Sequence, residues 1–425
     1  MLEALQRTTF AYFAPDHDPE HGLIPDKTEP GSPASIAAIG MGLSAYAVAV
    51  ERGFLTREVA VARTLRTLRF FHASPQGPEP DATGYHGFYF HFLDMKTGRR
   101  AWQCELSTID TALLLAGILT VGLYFDGASP AEQEIRALAD ALYRRVDWVW
   151  ALDGRSTLSH GWKPESGFLR SSWDSGYSEA LILYILALGS PTFPIPLGGY
   201  RDWTRTFELV TAYGIEYLYA GPLFIHQFAH LWLDLRGLSD DRSREVGWDY
   251  FENSRRATLV HRQYGIENPG GFVGYSAYGW GLTASDGPGP AVRKIDGVRR
   301  KFHGYLARGA PFGPDDGTIS PWAVVASVPF APELVCEVVR HAIAALARRH
   351  LTGTGFDASY NVTFPDPPGG AAVWASAWKF GINEGPVVLM IDNHLDGLLW
   401  RLFRRSAVVV TGLRRAGFRG GWLSP

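Results

Sequence analysis

Residues 107–125 read STIDTALLLAGILTVGLYF, a segment that is apolar around nearly its whole circumference. A surface helix keeps one polar face, whereas a helix that is apolar on all sides is buried within a protein. Ser107 followed by Asp110 is also the pattern of an N-terminal helix cap. We therefore expect a helix that begins at Ser107 and lies inside a large helical domain.

The segments on either side of this helix continue the helical period of 3.6 residues. Residues 35–51 are rich in Ala and Gly, which suits close packing against a neighbouring helix. Ser129-Pro130-Ala131-Glu132 combines a cap, a proline in the first turn and an acid at the third position, which indicates a helix start. The pattern predicts helices at 2–13, 35–51, 56–71, 107–125, 129–150, 174–188, 200–219, 224–235, 242–264, 321–330, 332–349 and 385–403, and a short strand within 85–92.

About a dozen helices in antiparallel pairs are typical of an all-α (α/α)6 toroid, or barrel, with long loops at one mouth. Two such loops, 267–316 and 352–380, are rich in glycine, proline and aromatic residues. Loops of this length usually cover or build a site. No change in composition marks a domain boundary, so we expect residues 1–425 to form a single (α/α)6 domain.

The composition excludes several classes of protein. Hydrophobic residues make up 46% and charged residues 20% of the chain, and the formal net charge is only −3. These values disfavour a disordered protein, and they also disfavour nucleic acid or an anionic membrane as a partner. No apolar run approaches the roughly 20 residues that span a bilayer, and residues 1–7 do not resemble a signal peptide. We expect a soluble protein, cytoplasmic as written, or periplasmic or secreted if a signal was removed.

The two cysteines, Cys104 and Cys336, are far apart and have apolar neighbours. Two buried free thiols are the favoured interpretation, and one disulfide is the alternative. Their spacing is not that of metal ligands, and the sequence contains no phosphate-binding or dinucleotide motif. We therefore predict neither a metal nor a cofactor.

Two glutamates precede apolar helices and have aromatic neighbours. Glu105 follows Trp102, and Glu179 follows Trp173 and Tyr177. Glycoside cleavage needs one acid to protonate the leaving oxygen and a second carboxylate to activate water or attack carbon. Aromatic surroundings raise a carboxyl pKa, which would suit Glu179 to acid catalysis. The alternative is that both carboxylates only stabilise the N-terminal dipole of a helix.

Three further acids have competing interpretations. Asp110 fits a capping box, in which the acid bonds back to the cap amide, but it could also be catalytic. Asp286 fits a turn aspartate or, with Trp280 close in sequence, a sugar-binding group. Asp357 lies in the second long loop and could hydrogen-bond sugar hydroxyls. We count Trp102, Trp173, Tyr177, Trp280, Asp286 and Asp357 as candidate substrate-binding residues.

His226, His230 and Asp234 are spaced so that one helix face would carry all three, as it could carry metal ligands. Gln227 stands where a zinc protease would have a glutamate, so that motif fails. We expect a structural or substrate-contacting histidine pair, and we include His226 among the substrate-binding candidates.

Several longer motifs resemble the glycoamylase-like family, which includes the β-1,2-glucanases of glycoside hydrolase family 144. The family is related to the transglycosylating domain of cyclic β-1,2-glucan synthases. The motifs are residues 34–43 (ASIAAIGMGL), 89–98 (YFHFLDMKTG), 105–112 (ELSTIDTA), 250–258 (YFENSRRAT) and 412–418 (GLRRAGF). The resemblance covers nearly the whole chain.

The resemblance implies an (α/α)6 barrel, no metal requirement and hydrolysis of β-1,2-linked glucan, with inversion expected. The family's acids correspond to Glu105 and Glu179, with Glu179 as the general acid. The chain departs from the family at Ser178, where asparagine is common, in the loop after Asp286, and at residues 382–386, where Glu384 replaces a usual Asp-Gln pair. Glu384 is accordingly a further substrate-binding candidate.

We therefore expect a glycoside hydrolase with a glucan or oligosaccharide as its partner. One alternative is a retaining β-1,2-glucan transglycosylase, in which a carboxylate attacks the anomeric carbon. The other is a glucan-binding protein that keeps the groove but no longer cleaves.

Overall fold

The computed structural model describes residues 1–352, 355–364 and 373–424. Most of its regular structure is helical, as the sequence pattern predicts. The α-helices are α1 (Leu2–Phe10), α2 (Ile36–Glu51), α3 (Arg57–Ala73), α4 (Thr108–Tyr124), α5 (Pro130–Arg144), α6 (Leu181–Gly189), α7 (Leu197–Thr204), α8 (Asp241–Val246), α9 (Tyr250–Glu267), α10 (Pro321–Ala326), α11 (Pro332–His350), α12 (Gly381–Leu395), α13 (Leu398–Arg404) and α14 (Ala407–Arg415).

The strands are short and pair in antiparallel fashion. They are β1 (Ala34–Ser35), β2 (Gly84–Tyr85), β3 (Phe88–Phe90), β4 (Phe92–Leu93), β5 (Leu106–Ser107), β6 (Gly161–Lys163), β7 (Gly167–Phe168), β8 (Leu209–Ala212), β9 (Ile215–Leu218), β10 (Ala284–Ser285), β11 (Ala291–Ile295), β12 (Val298–Phe302), β13 (Leu306–Ala307), β14 (Leu351–Thr352), β15 (Gly355–Phe356), β16 (Tyr360–Asn361) and β17 (Trp374–Ala375). Strands β2, β3, β5, β6 and β7 form one sheet in that order. This sheet holds the chain that leads into α4.

Serine caps set the starts of four helices. Ser35, Ser107, Ser129 and Ser406 each accept a hydrogen bond from a backbone amide in the first turn of the helix that follows. These bonds satisfy amides that have no partner within the helix. Helices α2 and α4 are buried along nearly their whole length, as their apolar sequences require.

Six buried segments contact one another in turn, and the last of them contacts the first. Helix α2 packs on α4, α4 packs on α6, and α6 contacts the 3-10 turn Phe228–Leu231. Gln227 lies just before that turn, and its side-chain Nε2 donates to Ala323 O at 2.6 Å and to Ser327 Oγ at 2.8 Å. These bonds connect the turn to α10. Helix α10 packs on α12, and α12 packs on α2.

The crossing of α2 and α4 depends on glycine. A Cβ atom placed on Gly117 of α4 would lie 2.0 Å from the Gly40 carbonyl oxygen of α2. A Cβ atom on Gly40 would lie 2.2 Å from the carbonyl oxygen of Leu113. The two backbones are therefore in direct contact, which the small side chains within residues 35–51 allow.

Several predicted helices differ from the observed structure, and three of them are partly replaced or divided. Residues 200–219 contain only the end of α7, followed by the β8–β9 hairpin, whose turn holds Tyr213 and Gly214 at positive φ. Residues 242–264 divide into α8 and α9, because Gly247 adopts a left-handed conformation that ends α8. Residues 385–403 likewise divide at left-handed Gly397. Helix α14 lies beyond the last predicted helix.

Both cysteines are free, which agrees with the favoured interpretation. Cys104 is buried, but Cys336 is only half-buried, so the expectation of two buried thiols holds for one of them. Across the described part of the chain, the helices are all too short or too polar to span a bilayer.

Candidate active site

A cavity of about 340 Å³ opens where several of the buried helices begin. Its wall combines carboxylates, imidazoles and aromatic rings. The lining residues are His91, Glu105, Ser107, Ile109, Asp110, Leu113, His160, Leu169, Trp173, Glu179, Phe224, Phe228, Ala284, Tyr305, Trp322, Ile382 and Asn383.

Three acidic residues from two parts of the chain face this cavity. Glu105 directly precedes β5, and Asp110 lies in the first turn of α4. Glu179 lies in a turn two residues before α6, because that helix begins later than residue 174, where we predicted its start. The structure therefore brings together the three acids that the sequence singled out as catalytic candidates.

His91 lies between two of these carboxylates. Its Nδ1 atom is 2.9 Å from Glu105 Oε1, and its Nε2 atom is 3.6 Å from Asp110 Oδ2. Burial by itself lowers the pKa of His91, but Asp110, Glu105 and Asp26 together raise it to about 9. At neutral pH the ring is therefore an imidazolium ion that bridges two carboxylates.

Glu105 is held in its ionised form by this contact. Burial opposes ionisation, but the hydrogen bond and charge of His91 lower the pKa of Glu105 below its ordinary value. A carboxylate that remains charged and partly exposed can accept a proton from water.

Asp110 takes part in a helix cap that differs from the predicted one. The Ser107 hydroxyl donates to Asp110 Oδ2 at 2.5 Å, and the Asp110 amide donates to Ser107 Oγ at 3.2 Å. The carboxylate thus accepts a hydrogen bond from the side chain of the cap residue, whereas we predicted a hydrogen bond from the backbone amide of that residue. Asp110 combines capping with a place in the cavity wall.

Glu179 has the opposite environment to Glu105. Burial raises the pKa of Glu179 to about 7, and the nearby charge of Asp110 adds to this increase. Near neutral pH a large fraction of this side chain is protonated, so it can donate a proton. The cavity therefore contains one acid that favours the protonated form and one that favours the ionised form, an arrangement typical of acid–base catalysis.

Aromatic side chains form much of the remaining wall. Trp173 stacks on His160 with ring centroids 4.0 Å apart, and its Nε1 atom donates to Thr108 Oγ1 at 3.1 Å. Tyr305 reaches the cavity from the loop between β12 and β13. Flat rings beside fixed polar groups suit the apolar faces and hydroxyls of a sugar ring.

Four predicted substrate-binding aromatic or imidazole residues do not line the cavity. Trp102 is 66% exposed and lies outside it, whereas Tyr177 and Trp280 are buried in the core. His226 is also buried, and its Nε2 atom lies 3.2 Å from Ala220 O. Burial lowers the pKa of His226 to about 4.

The other two residues of the histidine pattern do not converge with His226. The 3-10 turns Leu223–His226 and Phe228–Leu231 replace the helix predicted there, so the expected single face does not form. His230 contacts Ser254 Oγ at 3.1 Å, and Asp234 bonds Arg236 Nε at 2.7 Å. In the ranges that the structure describes, no group of three or more His, Cys, Asp or Glu side chains is arranged to hold a metal ion.

Three predicted acids, Asp286, Asp357 and Glu384, are not in the cavity wall. The Asp286 carboxylate accepts a hydrogen bond from Ser376 Oγ at 3.2 Å. Asp357 forms an ion pair of 3.2 Å with Lys379. Glu384 is buried in the first turn of α12, and burial raises its pKa although Lys379 opposes that shift.

The structure adds cavity residues that the sequence interpretation missed. His91 falls within a motif that carried the family resemblance, and the cavity-lining Asn383 falls within residues 382–386, where the chain departs from the family, but neither side chain had an assigned role. Asp26 lies near enough to His91 and Asp110 that burial and the Asp110 charge raise its pKa to about 6, against the opposing effects of His91 and Lys27. Tyr305 belongs to a glycine-rich loop, where spacing gives no signal for side-chain position.

Comparisons with known proteins match the chain to a named family and to solved structures. A family model named Glycoamylase, with the description "Putative glucoamylase", matches residues 171–407. A solved structure from Bacteroides uniformis with the same description is 32% identical, with a TM-score of 0.86, and the match covers 100% of this chain and 98% of that one.

Two further relatives have more specific names. The endo-β-1,2-glucanase from Chitinophaga pinensis, solved with sophorotriose and glucose, is 27% identical with a TM-score of 0.85, and the match covers 99% and 98% of the two chains. An exo β-1,2-glucooligosaccharide sophorohydrolase from Parabacteroides distasonis is 28% identical over 453 residues. That match covers 98% of this chain, which spans 57% of the length of the relative.

Proposed function

The chain belongs to the Glycoamylase family, and we propose that it is a glycoside hydrolase that cleaves β-1,2-linked glucan or its oligosaccharides. The observation that carries the proposal is one cavity that holds acids of opposite protonation preference between aromatic walls. Relatives named as a β-1,2-glucanase and as a sophorohydrolase support the choice of linkage.

We also infer that residues 1–425 form a single (α/α)6 toroid. The closed sequence of contacts through α2, α4, α6, the turns at 223–231, α10 and α12 supports a six-membered inner ring. One hydrophobic cluster extends from Leu2 to Leu423, which favours a single domain. In this arrangement the starts of the inner segments meet at one mouth, where the cavity lies.

In the proposed mechanism, Glu179 donates a proton to the glycosidic oxygen as the bond to the anomeric carbon breaks. Burial keeps this carboxyl group protonated up to about pH 7. Glu105 accepts a proton from the water that attacks the anomeric carbon, and the electron pair of the cleaved bond remains on the leaving oxygen. His91 holds Glu105 in the ionised form, and Asp110 fixes the second nitrogen of the imidazole ring.

We propose inversion at the anomeric carbon, because Glu105 then needs to reach only a water molecule. The stereochemistry of the first product, followed by proton NMR, tests this step. A product that first appears as the β-anomer would instead indicate a covalent intermediate and the retaining transglycosylase.

The substrate is tested by measuring the reducing ends released from linear β-1,2-glucan, with β-1,3- and β-1,4-glucans as comparison substrates. We expect release from the β-1,2-linked polymer and none from the others. Glu179→Gln and Glu105→Gln should each abolish most of the activity. Glu208→Gln, at an exposed glutamate outside the cavity, is the matched control and should retain full activity. Binding of the glucan by the wild type without cleavage would contradict the proposal.

A further inference from the structure

Trp102 combines two features that are unfavourable for a folded protein. Its side chain is 66% exposed, the second highest value among the large hydrophobic residues of the described chain. Its backbone has φ +54°, and Gln103 has φ +52°. Two consecutive left-handed residues of this size cost conformational energy, and such strain tends to occur at functional sites. Single exposed apolar residues are common, but this combination is not.

The surrounding backbone holds this conformation in place. The Ala101 amide donates to Phe92 O at 2.9 Å, and the Cys104 amide donates to Ala101 O at 3.1 Å. Arg100 Nε donates to Cys104 O at 2.6 Å, and Arg100 itself is paired with Glu165. These bonds hold the backbone of the loop that carries the indole.

Trp102 is connected to the cavity through two ring contacts. Its ring lies 5.2 Å from that of Phe92, and Phe92 stacks on His91 with centroids 3.9 Å apart. His91 lines the cavity and contacts Glu105. A chain that leaves the cavity past His91 would therefore meet Phe92 and then Trp102.

A surface depression of about 470 Å³ lies beside the indole. Its wall includes Lys96 and the exposed Asp94, whose Oδ1 accepts from the amides of Lys96 and Thr97. An aromatic face next to ammonium and carboxylate groups suits a sugar ring, whose face stacks on the indole and whose hydroxyls can bond the polar groups.

We propose that Trp102 forms a distal subsite, outside the cavity, that stacks on a glucosyl residue of the bound chain. This inference rests on the proposed function, since it assumes that the cavity holds a β-1,2-linked glucan. The subsite gives the protein a preference for oligosaccharides long enough to reach from the cavity to Trp102. Short substrates occupy the cavity alone and gain nothing from the indole.

The test measures kcat/KM for β-1,2-linked oligosaccharides from the trisaccharide upward, for the wild type, Trp102→Ala and Trp102→Phe. We expect Trp102→Ala to lower kcat/KM for the long substrates by about 3- to 10-fold and to leave the shortest cleaved substrate unchanged. Trp102→Phe retains a ring and should recover most of the loss. Tyr213→Ala, which removes an exposed aromatic side chain at positive φ in the β8–β9 turn, is the matched control and should have no effect at any length.

Binding to the Glu179→Gln protein, measured by titration calorimetry, separates the subsite from catalysis. Affinity should rise with chain length, and Trp102→Ala in this background should remove that rise. An equal loss for all lengths would mean that Trp102 acts through Phe92 and His91, and it would overturn the proposal, as would no loss at all. If the wild type cleaves no β-1,2-glucan, the proposed function fails, while the dependence of binding on length still decides the role of Trp102.

Discussion

His91 gives two neighbouring carboxylates a shared counter-ion. Glu105 and Asp110 come from the same short stretch of chain, and without a cation their charges would repel each other. The imidazolium ion contacts both carboxylates, offsets this repulsion and lowers the pKa of Glu105 within a partly buried site. The protonation of Glu105 therefore depends on a residue that is separated from it by 14 positions in the sequence.

Replacing His91 tests this dependence. We expect His91→Gln to lower kcat/KM about 10- to 100-fold, equivalent to about 1.4 to 2.7 kcal/mol, because the pKa of Glu105 rises when its counter-ion is removed. The acidic limb of the pH–rate profile should move to higher pH. His72→Gln, at an exposed histidine of α3, is the control. An unchanged acidic limb in His91→Gln would contradict the assignment.

The same substitution changes how stability depends on pH. The pKa of His91 is about 9 in the folded protein, above its ordinary value of 6.5. The contribution of His91 to the free energy of unfolding is therefore fully present below pH 6.5 and is lost as the pH rises through 9. Urea unfolding between pH 6 and pH 9.5 should show this loss in the wild type and not in His91→Gln.

In the proposed mechanism, Glu179 sets the other limb of the pH profile. In its proposed role as general acid it must be protonated, and burial raises its pKa to about 7. We expect the rate to fall as the pH rises above 7. Glu179→Gln should lower kcat by about 10²- to 10⁴-fold, the usual contribution of a general acid, while far-UV circular dichroism remains unchanged. A profile that stays flat up to pH 9 would exclude this role.

The sequence predicted the acids of the site better than it predicted their partners. Glu105, Asp110 and Glu179 were identifiable because each stands where an apolar helix begins, which is a local pattern. His91 lies between β3 and β4, and Tyr305 lies between β12 and β13, so tertiary contacts alone bring them to the cavity. Tyr177 and Trp280 were predicted to bind substrate because each is close to an acid in sequence, but both are buried in the core. Proximity to an acid in sequence therefore does not distinguish a site residue from a core residue.

At the scale of secondary structure, α2 and α4 cross with their backbones in direct contact at Gly40 and Gly117. Alanine normally stabilises a helix relative to glycine by about 0.5–1 kcal/mol. At Gly117 the new Cβ would lie 2.0 Å from a backbone oxygen, and backbone cannot rotate away. The two helices would have to separate.

We therefore expect Gly117→Ala to destabilise the protein by about 1–3 kcal/mol or more, the usual cost of overpacking. Gly198→Ala is the matched control, because Gly198 lies in α7 with no heavy atom within 4 Å of the added Cβ. Thermal unfolding should show a lower Tm for Gly117→Ala and an equal or higher Tm for Gly198→Ala. Equal behaviour of the two variants would contradict the close crossing.

The helices that were predicted best are those whose boundaries have a chemical signal. Serine caps mark the starts of α2, α4 and α5 within one or two residues. The errors occur where a left-handed residue interrupts an apolar pattern, as at Gly247 and Gly397, or where alternating residues around Tyr213 form a hairpin. A single helix and two shorter helices have the same hydrophobic period, so the period cannot locate such breaks.

Across the whole molecule, buried neutral histidines make stability sensitive to acid. Burial lowers the pKa of His226 to about 4 and those of His230 and His261 to about 3. The unfolded chain binds protons at these residues below pH 6.5, but the folded protein does not until the pH is much lower. Stability is therefore lost as the pH falls from 6.5 towards 4.

His226→Gln tests this effect, because glutamine does not titrate. We expect the variant to be less stable than the wild type at pH 7, since its contact with Ala220 O is altered. The difference in the free energy of unfolding between the two proteins should narrow by about 2 kcal/mol at pH 5. Only the wild type loses the stability that the buried neutral His226 contributes. Urea unfolding at both pH values measures the gap. A gap that stays constant, or a changed KM for glucan, would contradict a purely structural role for His226.

The cavity is built from side chains between His91 and Asn383, which requires contacts between distant parts of the chain. Helix α12, which carries Asn383, docks on α2 only after most of the polypeptide exists. During synthesis or refolding, contacts of such long sequence separation form late. Catalytic competence should therefore emerge after most of the helical content, so that a nascent or truncated chain without α12 is folded in part and inactive.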